Sequence, residues 1–322
     1  VQHEQRHSVS KEPIGSAPAD GDGPLPVGLP GTVEVMGRVG GENFPVALRV
    51  LGRAERRRLL AVYGFARLVD EVGDGTMPAA DRLRALAWLE TEVERAVVGR
   101  ATHPLVAAAG DVVRELGLSA QPLRDLVAAN QLDQLRSGYR SFEQVLGSCE
   151  LSANPIGRLV LGIFGVTTDE RTAWSDDVCT GLQLAEHLQD VGEDARRGRV
   201  YLAEEDRRVY GCGDDDLLEV SASPALRRLV AAYCTRARAL LLSAVPLARS
   251  LPWQPRLAVA GFAAGGMAAL DAIEAAGFDV LGVRCRPQRW RLVQRAAAVL
   301  AGRSPVDLRL LGQGPAIMAA VR

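Results

Sequence analysis

The sequence predicts an all-α protein built as one helical bundle. Three observations carry that expectation. Apolar residues recur at helical spacing through most of 51–301, without the alternation a strand shows. Hydrophobic residues make up 48% of the 322, enough for one large core. Two of the helices end in acids four residues apart, and the rest of the chain is organised around them.

Taken in order, residues 1–31 are rich in Gly, Pro, Asp, Glu and Ser and read as a disordered leader. A helical domain is expected over 32–301, followed by an unassigned tail over 302–322. Residues 42–51, with Asn43-Phe44-Pro45, read as a short helix or a helix-entry turn. Residues 51–71 are a long helix whose Arg53, Arg56, Arg57 and Arg58 form a wet face. Gly73 weakens that helix by about 1 kcal/mol, so it ends or bends beside its acids. Residues 79–98, 104–116 and 120–130 are amphipathic scaffold, with His103 in a connecting loop. The polar stretch 130–140 holds Asp133 and reads as helix surface. Residues 142–164 form an apolar wall broken at Asn154-Pro155, where proline removes an N–H. One helix should run through 181–198 and stop at Gly198. A loop over 199–213 follows, suited to a flap. Asp214, Asp215 and Asp216 read as the acid-rich first turn of the next helix. Helices over 224–250, 253–277 and 287–301 complete the chain.

The acids carry the chemistry. Asp70 and Asp74 stand at i, i+4; Glu186, Asp190 and Asp194 at i, i+4, i+8. At ~6 Å such neighbours repel by about 0.7 kcal/mol in water and about 3 at an effective dielectric of ~20. A solvated row is therefore cheap, whereas a row inside a cleft needs a cation. Each pair ends an apolar helix and has arginine nearby (Arg67; Arg196, Arg197 and Arg199). Carboxylates without Cys or His ligand spacing suit Mg²⁺, which keeps waters and takes one or two carboxylates plus substrate phosphates. The expectation is a Mg²⁺–diphosphate site between two helices, with Arg67 free to pair with Asp70 when no phosphate is bound.

The motifs Tyr63-x-x-x-Arg67-x-x-Asp70-x-x-x-Asp74 and Gln189-Asp190-Val191-Gly192-Glu193-Asp194-x-x-x-Gly198-Arg199-x-Tyr201 resemble the aspartate-rich motifs of the squalene/phytoene synthase family. The resemblance runs from about residue 42 to 291. Within it, Glu42-Asn43-Phe44-Pro45 and the 149–158 segment are most similar to bacterial hydroxysqualene synthases of hopanoid biosynthesis. Two positions depart: Glu186 stands where many relatives carry a metal-binding Asn, and Phe278 where many carry a Tyr. The resemblance implies an isoprenoid synthase bundle with both motifs facing a central cavity. It implies Mg²⁺, or Mn²⁺, held by Asp70, Asp74, Asp190 and Asp194, with Glu186 as a further ligand. It implies a prenyl diphosphate bound by Tyr63, Arg67, Arg199, Tyr201 and Asn43, with Tyr139 near the reacting carbons; Arg284 and Arg286, after the last long helix, are further candidates to reach phosphate. The implied reaction converts presqualene diphosphate to hydroxysqualene; presqualene diphosphate or phytoene formation from two prenyl diphosphates stays open. Capture by water needs polar partners in an apolar wall. Asn154 with Tyr139 or Ser152 is the candidate holder, the alternative being that Asn154 caps the broken helix.

Composition excludes other classes. The net charge is −1 without a basic block, so no nucleic-acid partner is expected. Five scattered cysteines without C-x-x-C spacing argue for a reducing compartment and against structural zinc. No G-x-G-x-x-G follows a strand, so no nicotinamide cofactor is expected. No run of 18 apolar residues and no signal peptide are present, so the expectation is a cytoplasmic protein. It would touch the inner membrane face weakly through apolar residues near the cavity mouth, without electrostatic anchoring, and would work beside pathway enzymes. A non-catalytic lipid-binding or assembly factor is the alternative of another class; the four aspartates argue against it.

Overall fold

The computed structural model describes residues 26, 28–38 and 51–302. Asn43 and its segment, most of the expected leader, and the tail beyond 302 lie outside the described residues. Among the described residues there are helices and one isolated parallel bridge between Gly138 and Val200, but no strand.

The helices are α1 (Thr32–Gly37), α2 (Arg53–Asp74), α3 (Ala79–Val97), α4 (Pro104–Leu116) and α5 (Gln121–Leu135). Then follow α6 (Phe142–Ser152), α7 (Asn154–Ile163), α8 (Asp169–Gln189), α9 (Val191–Arg196) and α10 (Glu204–Tyr210). The last four are α11 (Pro224–Leu241), α12 (Ala244–Ser250), α13 (Trp253–Ala275) and α14 (Arg289–Leu300). Their apolar faces build two cores. One gathers α2, α3, α4 and α5 around Phe65, Leu68, Leu86, Leu89 and Leu123. The other gathers α8, α11, α12 and α13 around Leu184, Leu188, Tyr233, Leu241 and Leu270. Helix α7 belongs to both, giving Leu159, Val160 and Ile163 to the first and Leu161 to the second. The cavity described below lies along that seam.

Several boundaries differ from the sequence expectation. The helix expected over 181–198 is two helices, because Asp190 leaves helical torsions (φ −108°, ψ 9°) and tilts α9 away from α8. Gly198, at φ +78°, does end the second piece in the left-handed region that glycine tolerates. The stretch 224–250 is also divided, at Leu242-Ser243. The 199–213 segment is not a free flap. It contains α10, whose Asp206 takes both Nη atoms of Arg236 (2.6 and 3.0 Å) and the Tyr233 hydroxyl (2.9 Å). Asp214 pairs with Arg207, and Asp215–Leu217 form a short 3-10 turn well before α11 starts. His103 does more than connect: its Nδ1 accepts from the Leu105 N–H (3.3 Å) and caps α4. Buried Glu92 holds that corner through the N–H groups of Thr102 (2.7 Å) and His103 (2.9 Å).

By length and composition Pro224–Ser250 and Trp253–Ala275 would cross a membrane. Both are core helices: α13 buries its length from Ala258 to Leu270 against α8, α11 and α12. Close approach of α8 to α11 depends on Gly181, where an added Cβ would sit 2.8 Å from a Leu241 methyl-bearing carbon and 3.0 Å from the Ala237 carbonyl oxygen. Gly181→Ala is expected to destabilise the fold by about 1–3 kcal/mol through overpacking, read as a lower denaturant midpoint at unchanged slope.

Candidate active site

Two helices face each other across the seam with the same register. From α2 come Leu59, Val62, Tyr63, Ala66, Arg67 and Asp70; from α8 come Ser175, Val178, Cys179, Leu182, Gln183 and Glu186. Both sets follow i, i+3, i+4, i+7, i+8, i+11, one face of a helix over three turns. Each ends on an acid, the first set starting at Leu59 and the second at Ser175. The remaining wall is supplied by Ala153, Ile156, Gly157 and Val160 of the α6–α7 region and by Leu247, Val259 and Phe262. The cavity so enclosed measures about 240 Å³ and is mostly apolar. Gly157 keeps it open at the α7–α8 contact: an added Cβ would meet Ser175 Oγ at 2.4 Å and Cys179 Sγ at 2.6 Å.

The acids collect where α2 and α8 end. Helix C-termini carry partial negative charge, so carboxylates there are doubly disfavoured. The Asp194 carboxyl is pushed up to about 7, first by burial and then by Asp190 and Asp74, with Arg199 and Arg197 opposing. Burial and Glu193 push Asp190 up, with Asp74 adding to the effect while Arg197 and Arg284 oppose it. Asp74, Asp190 and Asp194 therefore act on one another across the mouth. Arg199 ties the two motifs directly. It pairs with Asp74 and donates a second bond to the Gly73 carbonyl at 3.0 Å. Gln134 Nε2 reaches the same carbonyl at 3.0 Å, so the exposed end of α2 is satisfied twice over. Asn130 Nδ2 donates to Asp70 at 3.2 Å. This contact explains Gly73, since a Cβ there would fall 2.0 Å from Asn130 Oδ1.

A clamp of aromatic hydroxyls lies behind the mouth. Tyr201 and Tyr139 donate to the two oxygens of Asp133 at 2.8 and 3.1 Å, and their rings stack at 5.8 Å. Burial pushes the Asp133 carboxyl up, although both tyrosines stabilise its ionised form. Burial and Asp133 push Tyr139 up to about 12, so it stays a donor. His187 stacks on Tyr201 at 3.7 Å; burial pulls it down to about 3, so it stays neutral.

This geometry has known counterparts. A model of the squalene/phytoene synthase family matches residues 38–291. The chain belongs to that family. It is 34% identical over 215 residues to the hydroxysqualene synthase of Rhodopseudomonas palustris, covering 65% of this chain and 71% of the relative. It is 32% identical over 268 residues to phytoene synthase 3 of Zea mays, covering 80% of this chain and 62% of the relative. The crystal structure of squalene synthase HpnC from Alicyclobacillus acidocaldarius superposes with a TM-score of 0.68 at 37% identity, covering 79% of this chain and 97% of the other. A dehydrosqualene synthase structure shares the fold at a TM-score of 0.72 and 20% identity.

Against this squalene/phytoene synthase frame, the expected site residues sort into two groups. Tyr63, Arg67, Asp70 and Glu186 line the cavity, and Asp74, Asp190, Asp194, Arg199 and Arg284 stand around its acidic end. Arg67 Nε also pairs with Glu71 at 3.1 Å, one turn on. Tyr139 and Tyr201 hold Asp133 and do not line the apolar cavity. Asn154 lies outside the lining as well. It is buried, and its Oδ1 accepts from Thr180 Oγ1 at 3.0 Å. Neither does it cap a helix; it is the first residue of α7, and the capping position is Ala153. Phe278 follows Gly277 in the left-handed region at φ 61°, a conformation costly for a large side chain.

Asn130 and Gln134 were not legible in the sequence as supports of the first motif, because α5 meets α2 only through the tertiary fold. Gln183 was legible in principle, three residues before Glu186 on the same face. Among the described residues no three His, Cys, Asp or Glu side chains are gathered into a ready cage. The donor set nevertheless fits a hard cation: it is all carboxylate, and Asp194 is held up by neighbours that a cation would neutralise.

The Asp194 shift sets a pH dependence. Its folded value, about 7, lies above the ordinary 3.8, so the folded state binds the proton more tightly. Stability must then fall as pH rises through that window, and be fully present below it. In EDTA, the melting temperature of the wild type should drop between these two pH values relative to Asp194→Asn. Parallel curves would show that the carboxyl is not strained.

Proposed function

We propose that the cavity converts presqualene diphosphate to hydroxysqualene, with Mg²⁺ as the resident cation. The observation that supports it most is the matched register of α2 and α8, each lining the cavity over three turns with apolar side chains and a few polar groups and ending on an acid. Such a chamber takes a lipid tail along its wall and a diphosphate at its mouth. The similarity to a hydroxysqualene synthase and to squalene synthase HpnC favours this substrate within the family.

Asp70, Asp74, Asp190 and Asp194, with Glu186 alongside, would hold Mg²⁺, which would supply the positive charge that makes diphosphate a leaving group. Arg67, Arg199 and Arg284 supply fixed positive charge where the departing oxygens gain negative charge. The carbon–oxygen bond breaks and its electron pair leaves with diphosphate. The cyclopropylcarbinyl cation rearranges against Val62, Leu182 and Phe262, which exclude water. One water then adds its oxygen to the cation and loses a proton. With Asn154 outside the lining, that water falls to Ser152 and Gln183, neutral polar groups of the wall. Ser152 Oγ donates to the Ser148 carbonyl at 3.0 Å, which leaves its lone pairs to accept from a water. A second reading, head-to-head joining of two prenyl diphosphates, is favoured by the 32% identity to a phytoene synthase over 80% of this chain.

Purified protein given presqualene diphosphate should release diphosphate and form hydroxysqualene in Mg²⁺ or Mn²⁺, and lose activity in EDTA. Formation of presqualene diphosphate or phytoene from farnesyl or geranylgeranyl diphosphate, with presqualene diphosphate left untouched, would select the second reading. Asp190→Asn should cut turnover by orders of magnitude while preserving the fold; full activity would remove the site. Glu186→Asn should keep measurable turnover and Glu186→Leu lose it, since only the first retains a ligand oxygen. Equal rates would make Glu186 a bystander.

A further inference from the structure

The net charge of −1 hides an uneven distribution. From Val280 to Gly302 the chain has no Asp or Glu, yet it carries Arg284, Arg286, Arg289, Arg291 and Arg295. Only Arg295 turns inward, pairing with Asp271 of α13 at 2.9 Å. Arg284 is exposed but acts on Asp190 and belongs to the acidic mouth; among the described residues no carboxylate pairs with Arg286, Arg289 or Arg291, and Arg286 and Arg289 are exposed. Arg291 lies over the Trp290 ring at 4.2 Å.

The same segment exposes apolar groups. Helix α14 packs on α13 through its Val299 side, which is fully buried. Its outer face presents Trp290, Val293 and Ala297 at i, i+3, i+7, with Trp290 55% and Val293 71% exposed. Val283, 52% exposed, precedes them in the loop. Apolar side chains at helical spacing, a tryptophan among them, flanked by arginines that no carboxylate among the described residues pairs, are the composition of an interfacial membrane helix. A nucleic acid would meet the arginines but leave the Trp290–Val293 stripe unexplained.

We propose that the 283–297 face docks on an anionic lipid bilayer. The stripe enters the acyl boundary while Arg286, Arg289 and Arg291 meet acidic headgroups. This replaces the expectation of weak, purely apolar contact. The face adjoins the acidic mouth: Gln189 Nε2 donates to the Cys285 carbonyl at 2.6 Å, and Leu281 packs against Gly192, two residues from Asp190. Docking there sets the cavity entrance at the membrane surface, where a lipid substrate resides. The proposal holds whichever prenyl product the cavity makes.

The test is co-sedimentation of the full chain with vesicles of phosphatidylcholine alone and of equimolar phosphatidylcholine and phosphatidylglycerol. Binding should require phosphatidylglycerol and weaken with salt. Each arginine neutralised should cost about fivefold in partitioning, the factor that about 1 kcal/mol gives. Arg289→Gln/Arg291→Gln should therefore lose about 25-fold at an unchanged melting temperature. Val293→Asp should weaken binding further, and a vesicle-induced blue shift of tryptophan emission should vanish in Trp290→Phe. No binding to the anionic vesicles, equal binding to neutral ones, or undiminished binding by the double variant would each overturn the proposal.

Discussion

The convergence of two helix C-termini carrying acids governs the rest of this structure. Asp70 and Asp74 close α2, and Glu186 and Asp190 close α8, at the end where the helix dipoles are themselves negative. Uncompensated, that arrangement would push the helices apart. The chain compensates with Arg199, which bonds Asp74 and the last turn of α2 from the far side of the second motif. Asn130 and Gln134 add neutral donors to Asp70 and Gly73. The compensation is partial, as the raised Asp194 carboxyl shows. A partly neutralised acidic mouth is suited to receive cations and, with them, phosphate.

The two cores follow from the same requirement. A single close-packed core would leave no room for a lipid chain, because interiors fill to the density of organic crystals. Here the apolar residues divide into an α2–α5 core and an α8–α13 core, with α7 shared. Small side chains at the seam, Ala153, Gly157 and Ala66, keep the walls from meeting. The Asp133 clamp and the Asp206–Arg236 pair hold the chain between Val200 and Tyr210 against the second core. Arg199 thus projects from a fixed base, and the expected flap is a strut.

Much of this was written in the sequence. Helical periodicity identified nearly every scaffold helix, since burial of one face leaves a 3.6-residue signature. The acids of each motif were legible because i, i+4 spacing on one helix is a local geometric fact. Gly198 marked a helix end for a local reason too. What the sequence could not determine was anything set by the meeting of distant segments. Tyr139, placed near the reacting carbons by the family resemblance, and Asn154, at the break in the apolar wall, were expected at the cavity, but their side chains turn to Asp133 and Thr180, partners whose direction only packing fixes. The bend at Asp190 has no proline or glycine at the position itself; α9 tilts where Leu281 packs on Gly192. Local spacing fixed the helices and their acidic ends. Which acids act on one another, and which polar groups face the cavity, were decided by tertiary contacts, because side-chain direction depends on neighbours far away in the chain.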